Sequence, residues 1–188
     1  MKNIILILTL ISILSCKGQD LNSYNIIPIE NEITYRNNET EVPEATYWKD
    51  VNNLLDKFVG TWIGTFNGVS YQFLVSKYTY NSTIRVLSRD KLRIKYLITD
   101  SDGNIIANTL ISGSGISGDY IDINGKTYHL NYIGENFMCG QNGVISITTI
   151  NNDTQIRFVY AKTDQITSDC TTGLAEQILP PYITLTKQ

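Results

Sequence analysis

A chain of 188 residues with 42% hydrophobic content is long enough for one well-packed domain and too short for two of ordinary size. Its 15 basic and 18 acidic residues give a net charge of −3 with no basic cluster. That balance argues against nucleic acid as a partner and against attraction to an anionic lipid surface through charge alone.

The sequence opens with Met1, Lys2 and Asn3, a largely apolar run over 4–14, then Ser15 and Cys16. A basic tip followed by a hydrophobic run too short to span a bilayer describes a secretory signal peptide, not a membrane helix. Residues 13–16, Ile-Leu-Ser-Cys, resemble the lipobox of bacterial lipoproteins, in which cleavage leaves the cysteine as an acylated first residue. The resemblance implies a lipoprotein signal peptide over 1–15 and lipidation of Cys16, palmitate included. It also implies anchorage to the bacterial cell envelope, expected at the outer membrane, through lipid. The alternative is an ordinary cleaved signal with an incidental cysteine. With Cys16 consumed by lipid, Cys139 and Cys170 remain as a pair in an oxidising compartment, so one disulfide is expected. It closes a loop of roughly 30 residues and contributes about 3–4 kcal/mol by chain entropy. The alternatives are two free thiols or a metal site, and a zinc site there lacks neighbouring His and Cys ligands; no metal or cofactor is expected.

Residues 16–45 read as the lipidated cysteine and a tether, rich in Asn and Glu with Pro28 and Pro43. An apolar patch at Ile26, Ile27 and Ile29 is suited to docking as an edge strand before Pro28 interrupts it. From residue 46 the pattern changes and a β-barrel domain over 46–188 is expected. Tyr47, Val51, Leu54, Leu55 and Phe58 recur at helical spacing up to Gly60, which predicts one short amphipathic helix.

After Gly60 the chain reads as short strands whose hairpins are registered by their turns. Asn67-Gly68 sets Phe66 opposite Val69, Gly64 opposite Tyr71 and Trp62 opposite Phe73. Asp102-Gly103 sets Ile98 opposite Ala107, Tyr96 opposite Thr109 and Ile94 opposite Ile111, leaving Lys91, Arg93 and Lys95 on the other face. Asn124-Gly125 sets Ile121 opposite Tyr128, and Asn152-Asp153 sets Ile147 opposite Phe158 and Ile145 opposite Tyr160. With further strands near 83–87 and 182–185, about ten strands follow one another as an antiparallel meander, a number suited to an all-β barrel or a two-sheet sandwich.

The segments YWKDVNNLLDKFVGTWIGTFNG (47–68) and DKLRIKYLITDSDGNIIANTL (90–110) resemble an uncharacterised family of small exported proteins and lipoproteins from flavobacteria, a domain of unknown function. That resemblance implies no activity. Within it, FVGTW at 58–62 is similar to the Gly-x-Trp start of lipocalin-like barrels, where a short helix precedes the first strand and the tryptophan plugs the closed end. What this implies is a lipocalin-like (calycin-like) barrel. Those barrels also carry a Thr-Asp-Tyr turn, which is absent here, and a late arginine over the tryptophan. Arg157 is the one candidate, and the register sets it opposite Thr148, facing away from the interior.

The single histidine, His129, falls beside Tyr120 on the polar face of its hairpin, where it meets no nucleophile in a cleft. Asp100-Ser101-Asp102-Gly103-Asn104 is explained by a hairpin turn, since the twelfth position of a calcium loop would be Ile111. Asp119 and Asp122 fall on opposite faces of a strand. No catalytic residue is singled out, so the expectation is a protein that is not an enzyme. The remaining feature is the aromatic set Trp62, Tyr71, Phe73, Tyr96, Tyr128, Phe158 and Tyr160, readable as a hydrophobic core or as the lining of a ligand cavity. Two functions follow: binding of a small apolar or amphipathic molecule inside the barrel, or an envelope interaction or assembly protein whose barrel is filled.

Overall fold

Alternation of apolar and polar residues after Gly60 becomes a closed barrel in the computed structural model, which describes residues 24–188 apart from 112, 114 and 164. The strands are β1 (Asn25–Pro28), β2 (Thr46–Lys49), β3 (Gly60–Phe66), β4 (Val69–Asn81), β5 (Leu87–Thr99), β6 (Ile105–Asn108), β7 (Ile116–Ile121), β8 (Thr127–Ile133), β9 (Asn142–Ile150), β10 (Gln155–Lys162) and β11 (Tyr182–Lys187). Eight of them close as β5-β4-β3-β11-β10-β9-β8-β7, with β7 returning to β5 through Arg93 opposite Ser117 and Ile94 opposite Ile116. The fold is therefore an all-β antiparallel barrel carrying additional strands.

The turn chemistry sets the register as expected. Asn67 and Gly68 both take positive φ, and Trp62 faces Phe73, Gly64 faces Tyr71 and Phe66 faces Val69. Ile121 faces Tyr128, Ile147 faces Phe158 and Ile145 faces Tyr160, while Arg157 faces Thr148. In the Asp102-Gly103 hairpin Ile98 faces Ala107 and Thr109 N donates to Tyr96 O as expected, with a register shift between Ile98 and Thr99 beside the turn, but the pairing does not reach Ile94. Thr109 Oγ1 accepts the Tyr96 backbone N–H at 2.8 Å, which ends the β5–β6 ladder, and Gly115 brings the chain so close to the Ile94 carbonyl that a Cβ would stand 2.5 Å from it. Ile94 therefore meets Ile116 instead of the expected Ile111. The expected strand near 83–87 is instead the tip of a long hairpin made by β4 and β5, each 13 residues.

Two expectations for the N-terminal part are corrected. A short helix does precede the barrel, but it is α1 (Glu32–Asn37), following a 3-10 turn at Ile29–Asn31. The segment over 47–58 forms β2 and then a 3-10 turn at Asp56–Phe58. Thr46 and Trp48, two residues apart, are both buried, so period two prevails there. Asp50 then accepts the backbone N–H groups of Leu54 (2.7 Å) and Leu55 (3.1 Å), and Asn53 takes φ of 54°, which breaks any continuous helix. Leu55 and Phe58 still point into the core. Nor do residues 25–37 belong to a tether: β1 is a parallel edge strand on β2, as the Ile26–Ile27 patch suggests, and Ile29 is 1% exposed within the core. The lipobox and Cys16 lie outside the described residues.

Inward positions are apolar and outward ones carry Lys91, Arg93, Lys95 and Arg157, the inverse of a membrane-spanning barrel.

Candidate functional site

Every residue of the aromatic set expected from sequence lies in the interior: Trp62, Phe73, Tyr128 and Phe158 are at most 1% exposed, and Tyr71, Tyr96 and Tyr160 between 5% and 7%. Three of them pack around a fourth, Phe73, with ring centroids 5.1 Å apart for Phe73 and Phe158, 6.2 Å for Tyr71 and Phe73, and 6.4 Å for Phe73 and Tyr96. Such edge and tilted contacts are the arrangements aromatic quadrupoles favour.

Trp62 lies at the end plugged by Leu55 and Phe58. Its indole Nε1 donates to the Phe58 carbonyl at 2.8 Å, and Lys187 Nζ stands 5.1 Å from the centre of its ring. The cation over the tryptophan is thus a lysine of β11, reached because Lys187 pairs with Trp62 across the closing β3–β11 contact. The strand expected over 182–185 runs on to Lys187, so the cation stands two residues beyond its expected end and is not an arginine. Tyr128 reaches the same end, 6.2 Å from Phe58, and its hydroxyl accepts the Leu92 N–H at 3.1 Å. Burial pushes the Tyr128 phenol far above its ordinary pKa.

At the opposite end the β10–β11 connection, residues 163–181, crosses as a strap. Cys139 and Cys170 form the expected disulfide, with Cα atoms 5.1 Å apart. Around it Ala175 N donates to Cys139 O, Gln141 Nε2 to Glu176 O and Gln177 Nε2 to Gly140 O, and Leu179 enters the core at 3% exposure. Beneath the strap, Tyr160 donates to Gln177 Oε1 at 2.9 Å and stacks edge-on against Tyr132 at 5.5 Å. The Tyr132 hydroxyl is buried without a well-formed hydrogen bond, its approach to the Tyr96 hydroxyl falling short of one. Burial, then the neighbouring Tyr96 and Tyr160 phenols, holds its pKa far above normal. Tyr132 was not singled out from sequence, although its alternation with Tyr128 and Leu130 carried the signal.

On the outer face, His129 pairs with Tyr120 as expected, stacked at 4.6 Å, and its Nδ1 lies 3.0 Å from Ser146 Oγ. Burial lowers the His129 pKa, while Asp122 and Asp119 oppose the shift. A bulge between Gly118 and Tyr120 interrupts the alternation at Asp119, and Asp122 turns its carboxylate onto the Lys126 and Thr127 N–H groups of the β7–β8 turn. The Ser146–His129 pair sits within the β8–β9 ladder, where the two residues face each other. Beside it, buried Glu32 accepts from Arg36 (2.9 Å) and Arg89 (3.0 Å), and Arg36 reaches on to Asp119 (2.7 Å). This network seals α1 onto the barrel.

Outside the barrel, a groove of about 700 Å3 runs between residues 41–45 and 85–89. Among the described residues no His, Cys, Asp or Glu cluster is placed to hold a metal, and no helix is long and apolar enough to cross a membrane.

These features define a closed antiparallel barrel with an aromatic interior and a disulfide-pinned strap. The chain belongs to a family of unknown function, DUF6705, whose profile matches residues 1–188. No curated protein and no solved structure matches it.

Proposed function

We propose that this is a lipid-anchored protein of the bacterial cell envelope, expected at the outer membrane, that works without catalysis as a binding module for another envelope component. In this reading residues 1–15 are removed as a signal peptide and Cys16 is acylated, as the likeness to flavobacterial lipoproteins suggests. Lys187 over Trp62 supports a lipocalin-like kinship for the barrel. The observation that carries the choice of function is the burial of all seven aromatics together with the ring contacts of Phe73 with Tyr71, Tyr96 and Phe158, which favours an interior occupied by protein side chains and recognition at the surface. Cross-linking in intact membranes, followed by isolation of the acylated protein, tests this. A defined protein partner is expected, whereas recovery of the barrel alone, with a stoichiometric small molecule in native mass spectra, would replace it with the ligand-carrier reading.

That second reading, binding of a small apolar or amphipathic molecule, draws support from the orphaned Tyr132 hydroxyl beneath the strap, where a ligand oxygen would satisfy it. The anchor has its own test. Cys16→Ser moves a folded protein from the membrane to the soluble fraction, and continued membrane retention would refute lipid anchorage at that residue.

A further inference from the structure

The described chain begins at a specific place on the barrel. Asn25 pairs with Thr46, and Thr46 pairs with Leu87, the first residue of β5. Because β1 and β2 run parallel to β5, the chain enters beside the tip of the β4–β5 hairpin, not at the strap end. Two strand spacings of about 4.8 Å separate Asn25 from Leu87, and three further residues lead to Ile84, which places Ile84 within roughly 20 Å of Asn25. From Cys16 to Asn25 the chain spans at most about 32 Å when fully extended. A lipid on Cys16 therefore keeps Ile84 within about 50 Å of the anchor, on the side of the barrel where the chain enters and away from the strap end.

The tip has the chemistry of that interface. Ile84 is 92% exposed and Val86 53%, with Val42 at 41% on the neighbouring loop. Single exposed apolar residues are ordinary, but here they share the region nearest the anchor. The turn's own polar groups are satisfied inward: Ser82 Oγ accepts from the backbone N–H groups of Ile84 and Arg85, and Ser82 N donates to Leu87 O. Less backbone then has to be stripped of water when the tip meets lipid. Behind it stands a collar of Tyr80 with Lys91 over its ring (5.2 Å) and Tyr78 with Arg93 over its ring (4.3 Å). An apolar tip backed by aromatic rings and cations matches the layering of a bilayer's acyl boundary and headgroups.

We infer that the β4–β5 hairpin tip docks on the bilayer that carries the anchor, with Ile84 and Val86 entering the headgroup boundary and the strap end facing away. This rests on the reading of Cys16 as the lipidated residue. The test uses the acylated protein reconstituted into phosphatidylethanolamine and phosphatidylglycerol vesicles, with one nitroxide placed through Ile84→Cys or, at the strap end, through Ile133→Cys. Both positions are exposed, so neither change touches the core, and the two remaining cysteines are joined to each other. A ratio of oxygen to nickel-chelate accessibility severalfold higher at position 84 than at 133 is expected. Equal ratios, with an N-terminal peptide mass that includes the acyl chains, overturn tip docking and leave the anchor standing. An N-terminal peptide without acyl mass removes the anchor and overturns the docking with it.

Discussion

Replacing both Cys139 and Cys170 by serine should weaken the fold by an amount that can be worked out from the chain. The bridge spans a sequence separation of 31, and for a loop of that size the chain-entropy relation gives about 3.7 kcal/mol at 25 °C. For a domain of this length each kcal/mol shifts the midpoint by about 2–4 °C, so Cys139→Ser/Cys170→Ser should melt roughly 7–15 °C lower. The loss has a structural location. The strap carries Leu179 into the core and holds Tyr160 through Gln177, so its release uncovers the tyrosine end while the hairpins and the Trp62 end keep their contacts. Thermal melts followed by far-ultraviolet circular dichroism provide the measurement, with a reductant lowering the midpoint of the wild type and leaving the double variant unmoved. A midpoint drop below about 3 °C would refute the reasoning, because it would mean that the Gln141 and Gln177 hydrogen bonds already fix the strap without the crosslink.

Three further outcomes are expected. Glu32→Ala removes the carboxylate shared by Arg36 and Arg89 and should cost about 2–3 kcal/mol, less than a fully buried pair because the two arginine side chains keep 35% and 23% of their exposure; an unchanged urea midpoint would contradict this. Gly118→Ala sets a Cβ 2.3 Å from Tyr128 Oη and 2.5 Å from Leu92 O, so a loss on the order of 1–3 kcal/mol is expected, and Tyr128→Phe in the same chain should recover only part of it because the carbonyl remains. His129 binds its proton more weakly in the fold than in the unfolded chain, so its contribution is present above the unfolded pKa and is lost as pH falls through about 6.5 toward the lower folded value. Melting should therefore begin to fall between pH 7 and pH 5, and His129→Gln should flatten that part of the profile.

Hairpins were legible because each is fixed by two local facts, a turn that demands positive φ and a period of two that tolerates no one-residue slip. Asn67-Gly68 with Trp62 and Phe73 is such a case, and its register is found residue for residue. The misreadings fall where a nonlocal partner decides. Leu54, Leu55 and Phe58 have helical spacing because three side chains of an irregular plug must all face the barrel, and the carboxylate that organises them, Asp50, replaces helical hydrogen bonds with side-chain ones. Ile94 takes Ile116 as its neighbour because barrel closure brings β7 to β5, a contact no hairpin rule anticipates. Residues 25–37 resembled a tether because their apolar content is small, yet burial of one isoleucine and one glutamate is enough to attach them when a strand edge is free.

The interior shows why the aromatic set was visible while its use was not. Seven aromatic side chains on alternating positions declare a shared face, but whether that face encloses space depends on what stands opposite each ring. Opposite Tyr71 stands Gly64, where a Cβ would lie 2.8 Å from Thr184 O. Tyr132 pairs with Gly143, where a Cβ would lie 2.7 Å from the Tyr160 ring. Gly118 receives the Tyr128 hydroxyl in the same way. Large residues set against glycines give the mean volume of a filled barrel layer, so excess ring volume on one strand is absorbed by a missing side chain on another. Gly64 and Gly143 read in isolation as weak strand positions; by register they face Tyr71 and Tyr132, while Gly118, opposite Leu130, leaves room for the Tyr128 hydroxyl. Gly64→Ala would therefore crowd Ile183 and Leu185 on β11, and beneath the strap the Tyr132 hydroxyl is buried without a well-formed hydrogen bond.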